Sequence, residues 1–393
     1  MGGEAVQTDI TTEHIERLIT AAGSHGVTGA IKELGVARTG SIVIDELVFR
    51  CEPPRNRHAV PVRIDLVHGT EEAVHVLRLA DGEPVTSSEE APEDACVRLE
   101  FDLAELVTLV YGVPRERSAG VHRSELLLAA WPRLTAAYGI SDHELMGSVQ
   151  RAVDSVLGGL SHRRPSLNEL AVRYGSDKWS VIHWFTPHYD RHLRDLRNEP
   201  VRVLEIGIGG YAEADSGGES LQMWKRYFPR GLVLGVDIVE KHGLDAARLR
   251  TVRGDQSDRA FLASIAEQHG PFDVIIDDGS HVNEHVLATF DALFPHLRSG
   301  GFYVVEDLWT AYCPGFGGDD ENLDNPGTSL GLLKGIIDRI HHEERDGADP
   351  DHVARNTVGL HVYHNIAFIQ KGVNAEGRIP AWIPRSSDEI NPR

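Results

Sequence analysis

Five short apolar runs, each closed by an acidic residue or a glycine, constrain this chain most. VRVLEIGIG, LVLGVDI, RTVRGD, FDVIIDDG and GGFYVVED follow one another from Val201 to Asp307, with amphipathic stretches between them. Runs this rich in Val and Ile suit strands buried on both faces, and the intervening stretches supply the crossovers that a parallel sheet requires. A final pair, GLHVYHN and IAFIQKG, lies too close together for a helical crossover. An antiparallel hairpin at the sheet's edge is therefore expected, and the fold class is α/β, a Rossmann-like sheet covered on both faces.

The first part of the chain has a different texture. PVRIDLVHGTEEAVHVLRLADGE (61–83) reads as two strands around a turn, and CVRLEFDLAELVTLVYGV as a strand running into a helix. From about Glu125 to Leu157 the pattern is helical. Residues 1–158 are read as an α+β auxiliary domain without a catalytic motif, and residues 159–393 as the catalytic domain. GGLSHRRPSLNEL (158–170), with its Gly, Ser and Pro breakers, makes the linker or helix entry.

Composition narrows the partners. The 39 Lys and Arg against 60 Asp and Glu give a net charge of −21, which argues against a nucleic-acid groove. The 21 His would cancel that charge if all were protonated, so solubility should fall as pH drops through the histidine range. Six of the basic residues are Lys, a skew that coding bias explains. No stretch approaches eighteen apolar residues, and MGGEAVQTDITTEHIERL lacks the pattern of a secretory leader, so neither a membrane span nor export is expected. Cys51, Cys96 and Cys313 are odd in number and widely spaced, which fits reduced thiols in a cytoplasm.

The first chemical signal is LEIGIGG at 204–210. Gly207, Gly209 and Gly210 let the backbone turn tightly against a ligand, and Glu205 adds a carboxylate at the same edge. Asp237 closes the next strand, where an acidic side chain can accept both hydroxyls of a ribose, and Asp255-Gln256 follow the third strand beside the position of an adenine ring. A dinucleotide fingerprint would need a third glycine where Ala212 stands, which weakens an NAD-dependent oxidoreductase reading.

Two acidic doublets follow: Asp277-Asp278 after the fourth strand and Glu306-Asp307 at the end of the fifth. Helix capping accounts for one acid per strand end and leaves the doublets unexplained. Four carboxylates in one cleft repel unless something positive sits among them, and a hard divalent cation, Mg²⁺ or alternatively Mn²⁺ or Ca²⁺, meets that need better than zinc. Within each doublet one carboxylate is expected to face the metal and the other to turn to the cofactor or to the groups behind the metal ligands. His281, three residues beyond Asp278, is the candidate general base, histidine being the side chain whose charge ordinarily changes near neutral pH. HVNEH at 281–285 also matches the His-x-x-Glu-His pattern of a zinc hydrolase class, with His281 and His285 as ligands. That pattern belongs inside a helix, whereas here it begins just after a strand. Trp309, Tyr312 and Phe316, on the glycine-rich loop from Leu308 to Pro326, form a candidate substrate wall, and Tyr189 and Asp190 can border the cleft.

A seven-strand sheet with an edge hairpin, an E-x-G-x-G-G turn and an acid closing the second strand resemble a class I methyltransferase. More narrowly, HWFTPHYDRH, VRVLEIG, GGYAE, SLQMWKRYFPRG, RGDQSD, GPFDVIIDDGSH, LFPHLRSGG, VVEDLWTAY, PGFGG, GTSLGLLK and GLHVYHN resemble the macrolide deoxysugar O-methyltransferases, densely from about residue 165 to 385. The resemblance implies methyl transfer from S-adenosylmethionine, with Mg²⁺, to a sugar hydroxyl of a glycosylated macrolide in antibiotic biosynthesis. It implies a homo-oligomeric, tetrameric, cytoplasmic enzyme whose amino-terminal domain helps oligomerise it and reaches into a neighbouring active site. On that pattern Asp278, Glu306 and Asp307 match the metal positions and His281 the base. Glu205 to Tyr211, Ser220, Asp237, Asp255, Gln256 and Asp277 match the cofactor cradle.

Overall fold

The computed structural model describes residues 11–24, 26–89, 95–113, 121–161, 164–345 and 349–386. The opening ten residues, read above for a leader, and His162 and Arg163 of the expected linker lie outside them. Among the described residues no helix is long and apolar enough to cross a membrane.

The chain opens with α1 (Thr12–Gly23), α2 (Val27–Leu34) and α3 (Val36–Arg50). The strand-like texture read over the first part of the chain does not extend to these residues, because their apolar positions recur at the helical period. In α1, Ile15, Leu18, Ile19 and Ala22 form the buried stripe. Then come β1 (Val60–His68), β2 (Glu71–Leu79), β3 (Thr86–Ser88), β4 (Val97–Asp102), α4 (Leu103–Tyr111), β5 (Val121–Leu126), α5 (Trp131–Tyr138) and α6 (Asp142–Leu160). The strands make a sheet in the order β3-β2-β1-β4-β5, with β1 and β2 forming the expected hairpin.

The second sheet follows α7 (Leu167–Tyr174) and α8 (Thr186–Leu193). Its elements are β6 (Arg202–Ile206), α9 (Glu219–Tyr227), β7 (Leu232–Asp237), β8 (Leu249–Arg253), α10 (Arg259–His269), β9 (Phe272–Asp277), α11 (Asn283–Leu293) and β10 (Leu297–Glu306). They are followed by α12 (Ser329–Ile340), α13 (His352–Asn356), β11 (Thr357–Tyr363) and β12 (Ile366–Lys371). The order is β11-β12-β10-β9-β6-β7-β8, parallel from β8 to β10 and antiparallel where β12 meets β10 and β11. This is the α/β sheet with an edge hairpin that the apolar runs implied.

Alternation along the strands sorts the core into two faces. Val203, Val233, Val274 and Val304 pack with α7, α8 and α9 around Tyr189 and Trp224, whereas Leu204, Leu234, Ile275, Tyr303 and Val305 pack with α10, α11 and α12. Trp224 is wholly buried, and truncating a side chain of that size typically costs about 3–5 kcal/mol.

The two sheets are tied by charge as well as by apolar contact. Arg248 donates to both oxygens of Glu46 on α3, at 3.0 and 2.6 Å, and to the carbonyls of Lys225, Phe228 and Gly231. Arg50 reaches the same carboxylate at 2.8 Å. Burial opposes the Glu46 charge, but the two guanidinium groups prevail and hold its pKa at about 2.

Candidate active site

Strand parity decides where each acid points. On β6 and β10, Glu205 and Glu306 share the face of Val203 and Val304, covered by α7, α8 and α9. On β9, Asp277 shares the face of Ile275. Asp277 is accordingly buried on the far side, accepting from Gln256 Nε2 at 2.6 Å and from the Tyr303 hydroxyl at 3.3 Å. Burial raises its pKa to about 7. Gln256 turns its other end to the Ser280 amide at 2.9 Å, so Asp277 holds the segment that leads into α11.

The glycine turn closes on the same edge. Gly207 has φ +91°, and a Cβ there would lie 2.1 Å from the Asp278 carbonyl oxygen, so only glycine lets the ends of β6 and β9 approach. At Gly209, φ +79°, a Cβ would meet nothing nearer than 4.0 Å, which leaves open floor above the turn. Asp237 fixes the turn by accepting the Ile208 amide at 2.9 Å on one oxygen and the Val239 amide at 2.8 Å on the other. Each of these oxygens keeps a lone pair for a further donor. Asp255 accepts the Ser257 amide at 2.8 Å, and Tyr211 stands exposed with φ +47°.

Asp278, His281 and Asp307 come together: one ligand atom of each lies within 4.8 Å of the others. His281 Nε2 is 3.4 Å from Asp307 Oδ2, and His183 Nε2 is 3.7 Å from Asp307 Oδ1. His281 and Asp307 both have left-handed backbones, φ +57° and +54°, a conformation costing about 1–3 kcal/mol for a non-glycine residue. Asn365 Nδ2 donates to Asp307 from the turn of the edge hairpin.

Glu306, expected with Asp278 and Asp307 at the metal, lies on the covered face of the sheet. It faces inward, where its Oε1 accepts from Lys178 Nζ at 2.7 Å and from the Tyr189 hydroxyl. Lys178 Nζ also donates to Asp278 Oδ2 at 2.7 Å and lies 3.2 Å from Glu205 Oε1, while Ser220 donates to Glu205 at 2.9 Å. The positive charge among these acids is thus an ammonium, which the argument for a divalent cation did not anticipate. Burial alone would lower the Lys178 pKa, but Asp278, Glu306 and Glu205 outweigh it and keep the ammonium charged. Burial, followed by the Asp278 charge, raises Glu306 well above the usual carboxylate range.

The local sequence explains how Lys178 arrives there. A capping box between Ser166 and Glu169 starts α7, and Gly175, in the left-handed conformation, ends it. The chain then folds back, and the Lys178 carbonyl accepts the amides of Phe185 and Thr186 at the start of α8. Tyr189 on α8 reaches Glu306, while Asp190 accepts the Tyr227 hydroxyl at 3.0 Å instead of bordering the site.

Comparison with known proteins identifies the lineage. The chain is 45% identical to mycinamicin VI 2''-O-methyltransferase of Micromonospora griseorubida, over 98% of this chain and 97% of that protein. It is 46% identical to demethylmacrocin O-methyltransferase of Streptomyces fradiae, over 98% of each.

The chain belongs to the macrolide deoxysugar O-methyltransferase family.

The family descriptions agree: residues 15–122 match "MycE methyltransferase N-terminal" and residues 187–308 match "Methyltransferase domain". The solved structure of MycE methyltransferase from the mycinamycin pathway in complex with Mg and SAH superposes with a TM-score of 0.88 at 44% identity, covering 97% of this chain and 99% of that one. A second structure of that enzyme, with Mg, SAH and mycinamycin VI, gives a TM-score of 0.87.

Family membership excludes the oxidoreductase reading, and the geometry disposes of the zinc pattern. His281 precedes α11 while His285 lies within it, its Nδ1 2.9 Å from Ser280 Oγ. The group of possible metal ligands among the described residues contains His281 but not His285. Of the expected substrate wall, Trp309 and Tyr312 are half exposed, and Trp309 meets Phe316 edge to face at 5.5 Å. The sequence reading missed Lys178, His183 and Asn365. Four of the six lysines, Lys178, Lys225, Lys241 and Lys371, are buried, so their scarcity in an arginine-rich chain was the available signal.

Proposed function

We propose that this protein transfers the methyl group of S-adenosylmethionine to a sugar hydroxyl of a glycosylated macrolide, in antibiotic biosynthesis. The observation that carries the reading is the convergence of Asp278, His281 and Asp307 beside an open glycine turn, in a chain of this family. The donors fit the groups involved. Asp278 and Asp307 would give a hard cation two carboxylates. The turn from Gly207 to Tyr211, with Asp237, Asp255 and Gln256, fits a nucleoside-bearing cofactor, while Ser220, Glu205 and Asp277 brace it from below.

Bound at the turn, S-adenosylmethionine supplies an electrophilic methyl group. Bound at Asp278 and Asp307, Mg²⁺ supplies positive charge that stabilises an oxygen losing its proton. His281 acts as the general base. Magnesium's preference for oxygen leaves the imidazole nitrogen free to accept the hydroxyl proton, and the side chain, one-quarter exposed, passes it to solvent. The backbone of His281 aims the ring at Asp307, and the half-exposed Trp309 and Tyr312 offer apolar surface to the aglycone.

The role proposed for residues 1–158 is that of an auxiliary and oligomerisation domain, in a cytoplasmic tetramer. Light scattering on the purified chain measures the assembly directly. The chemistry is tested by incubating the protein with S-adenosylmethionine, Mg²⁺ and a panel of glycosylated macrolides. A gain of about 14 Da on one of them, lost with EDTA and restored by Mg²⁺, is expected. Undiminished turnover in EDTA would remove the metal from the mechanism.

A further inference from the structure

We propose that Lys178 is the resident counter-cation of the metal site, competing with the divalent ion for Asp278 and thereby setting how tightly that ion is held. The inference rests on the magnesium reading above. Asp278 is the shared member of two groups: it belongs to the Asp278–His281–Asp307 cluster, and its Oδ2 accepts from Lys178 Nζ at 2.7 Å. The same ammonium holds Glu306 at 2.7 Å and lies 3.2 Å from Glu205, and among the described residues no other ion pair reaches these three carboxylates.

The arrangement suits a compact charge on a long stem. Lys178 is fixed at its backbone, where its carbonyl accepts two amides of the α8 start, yet four methylenes separate that anchor from Nζ. When Asp278 turns to a divalent ion, the ammonium keeps Glu306 and Glu205, so no buried carboxylate loses its partner. Before the ion arrives, the ammonium prevents the acids from repelling one another apart. Both functions depend on the charge of Lys178, and that same charge opposes tight metal binding by competing for Asp278 and repelling the ion.

The test is the dissociation constant of Mn²⁺, measured by calorimetry or paramagnetic resonance on the full chain without cofactor at pH 8. In Lys178→Met the ion should bind about tenfold more tightly or better, because its competitor and a repelling charge are both gone. The melting temperature of this variant should also depend strongly on Mn²⁺. Glu205→Gln should act in the opposite direction. It removes negative charge from the site and leaves Lys178 to fewer acids, so Mn²⁺ should bind several-fold more weakly. If Lys178→Met does not fold, the Glu205→Gln result decides alone.

Unchanged or weaker binding in folded Lys178→Met, or unchanged or tighter binding in Glu205→Gln, overturns the proposal and leaves the methyltransferase reading intact. A native chain that binds no Mn²⁺ overturns the proposal together with the magnesium reading.

Discussion

Asn365, in the turn between β11 and β12, donates from Nδ2 to Asp307 Oδ1 at 2.8 Å. The edge hairpin therefore orients a carboxylate that closes the neighbouring strand. The same side chain accepts the Trp309 amide at 2.8 Å, so one residue fixes both the acid and the start of the aromatic loop.

Asn365→Gly tests this link cleanly, because glycine adopts the native φ of +68° while losing the amide. Activity or Mg²⁺ affinity is expected to fall about 10- to 100-fold, the usual cost of removing a partner that orients a metal ligand. Binding of S-adenosylhomocysteine, read by calorimetry, should stay within twofold. Native activity in the variant would show that Asp307 is held adequately without Asn365.

His281→Ala separates proton transfer from metal binding. As a general base, His281 should account for about 10²- to 10⁴-fold in kcat, with Mn²⁺ and cofactor affinities unchanged. A large loss of Mn²⁺ affinity would instead make the imidazole a ligand. Asp278→Ala should abolish metal dependence and activity together, and unaltered turnover in this variant would refute its assignment.

Asp277 gives stability a pH signature. Its pKa is about 7 in the fold against 3.8 ordinarily, so the stabilising form is the protonated one. Its contribution is complete below about pH 4 and is lost as pH rises through 7. In Asp277→Asn that loss should disappear. The melting temperature of the variant relative to the native chain is expected to climb between pH 5 and 8, by the equivalent of about 3 kcal/mol. Parallel melting curves across that range would contradict the assignment.

Glu46 behaves in the opposite sense. Its pKa of about 2 against 4.5 ordinarily means that its contribution is full above pH 4.5 and lost as pH falls toward 2. Glu46→Gln leaves Arg248 buried without its counter-charge, and urea denaturation should record a loss of about 3–5 kcal/mol. A loss below 1 kcal/mol would mean that the surrounding carbonyls suffice for the guanidinium.

Much of the catalytic fold was legible because a parallel sheet imposes two-faced burial, and that leaves unbroken apolar runs such as FDVIIDD in the chain. The strand-end acids were legible for the same reason: each interrupts such a run. Their facing was not legible, since it depends on strand parity relative to a core that only the folded sheet defines. Glu306 and Asp277 accordingly turn inward, to Lys178 and Tyr303. Lys178 lies 100 residues from Asp278 and 128 from Glu306, and Asn365 lies 58 from Asp307, distances over which no spacing rule operates. The opening helices were missed because α1 mixes its buried stripe with Thr, Glu and Arg.

The Glu46–Arg248 pair has a practical consequence for anyone who would graft one relative's amino-terminal half onto another's catalytic half. A junction near residue 160 looks natural on the page, but it parts an acid on α3 from the guanidinium that neutralises it. Chimeras should succeed where donor and recipient both carry this pair with its Arg50 neighbour. Elsewhere the splice has to bring its own counter-charge across the seam.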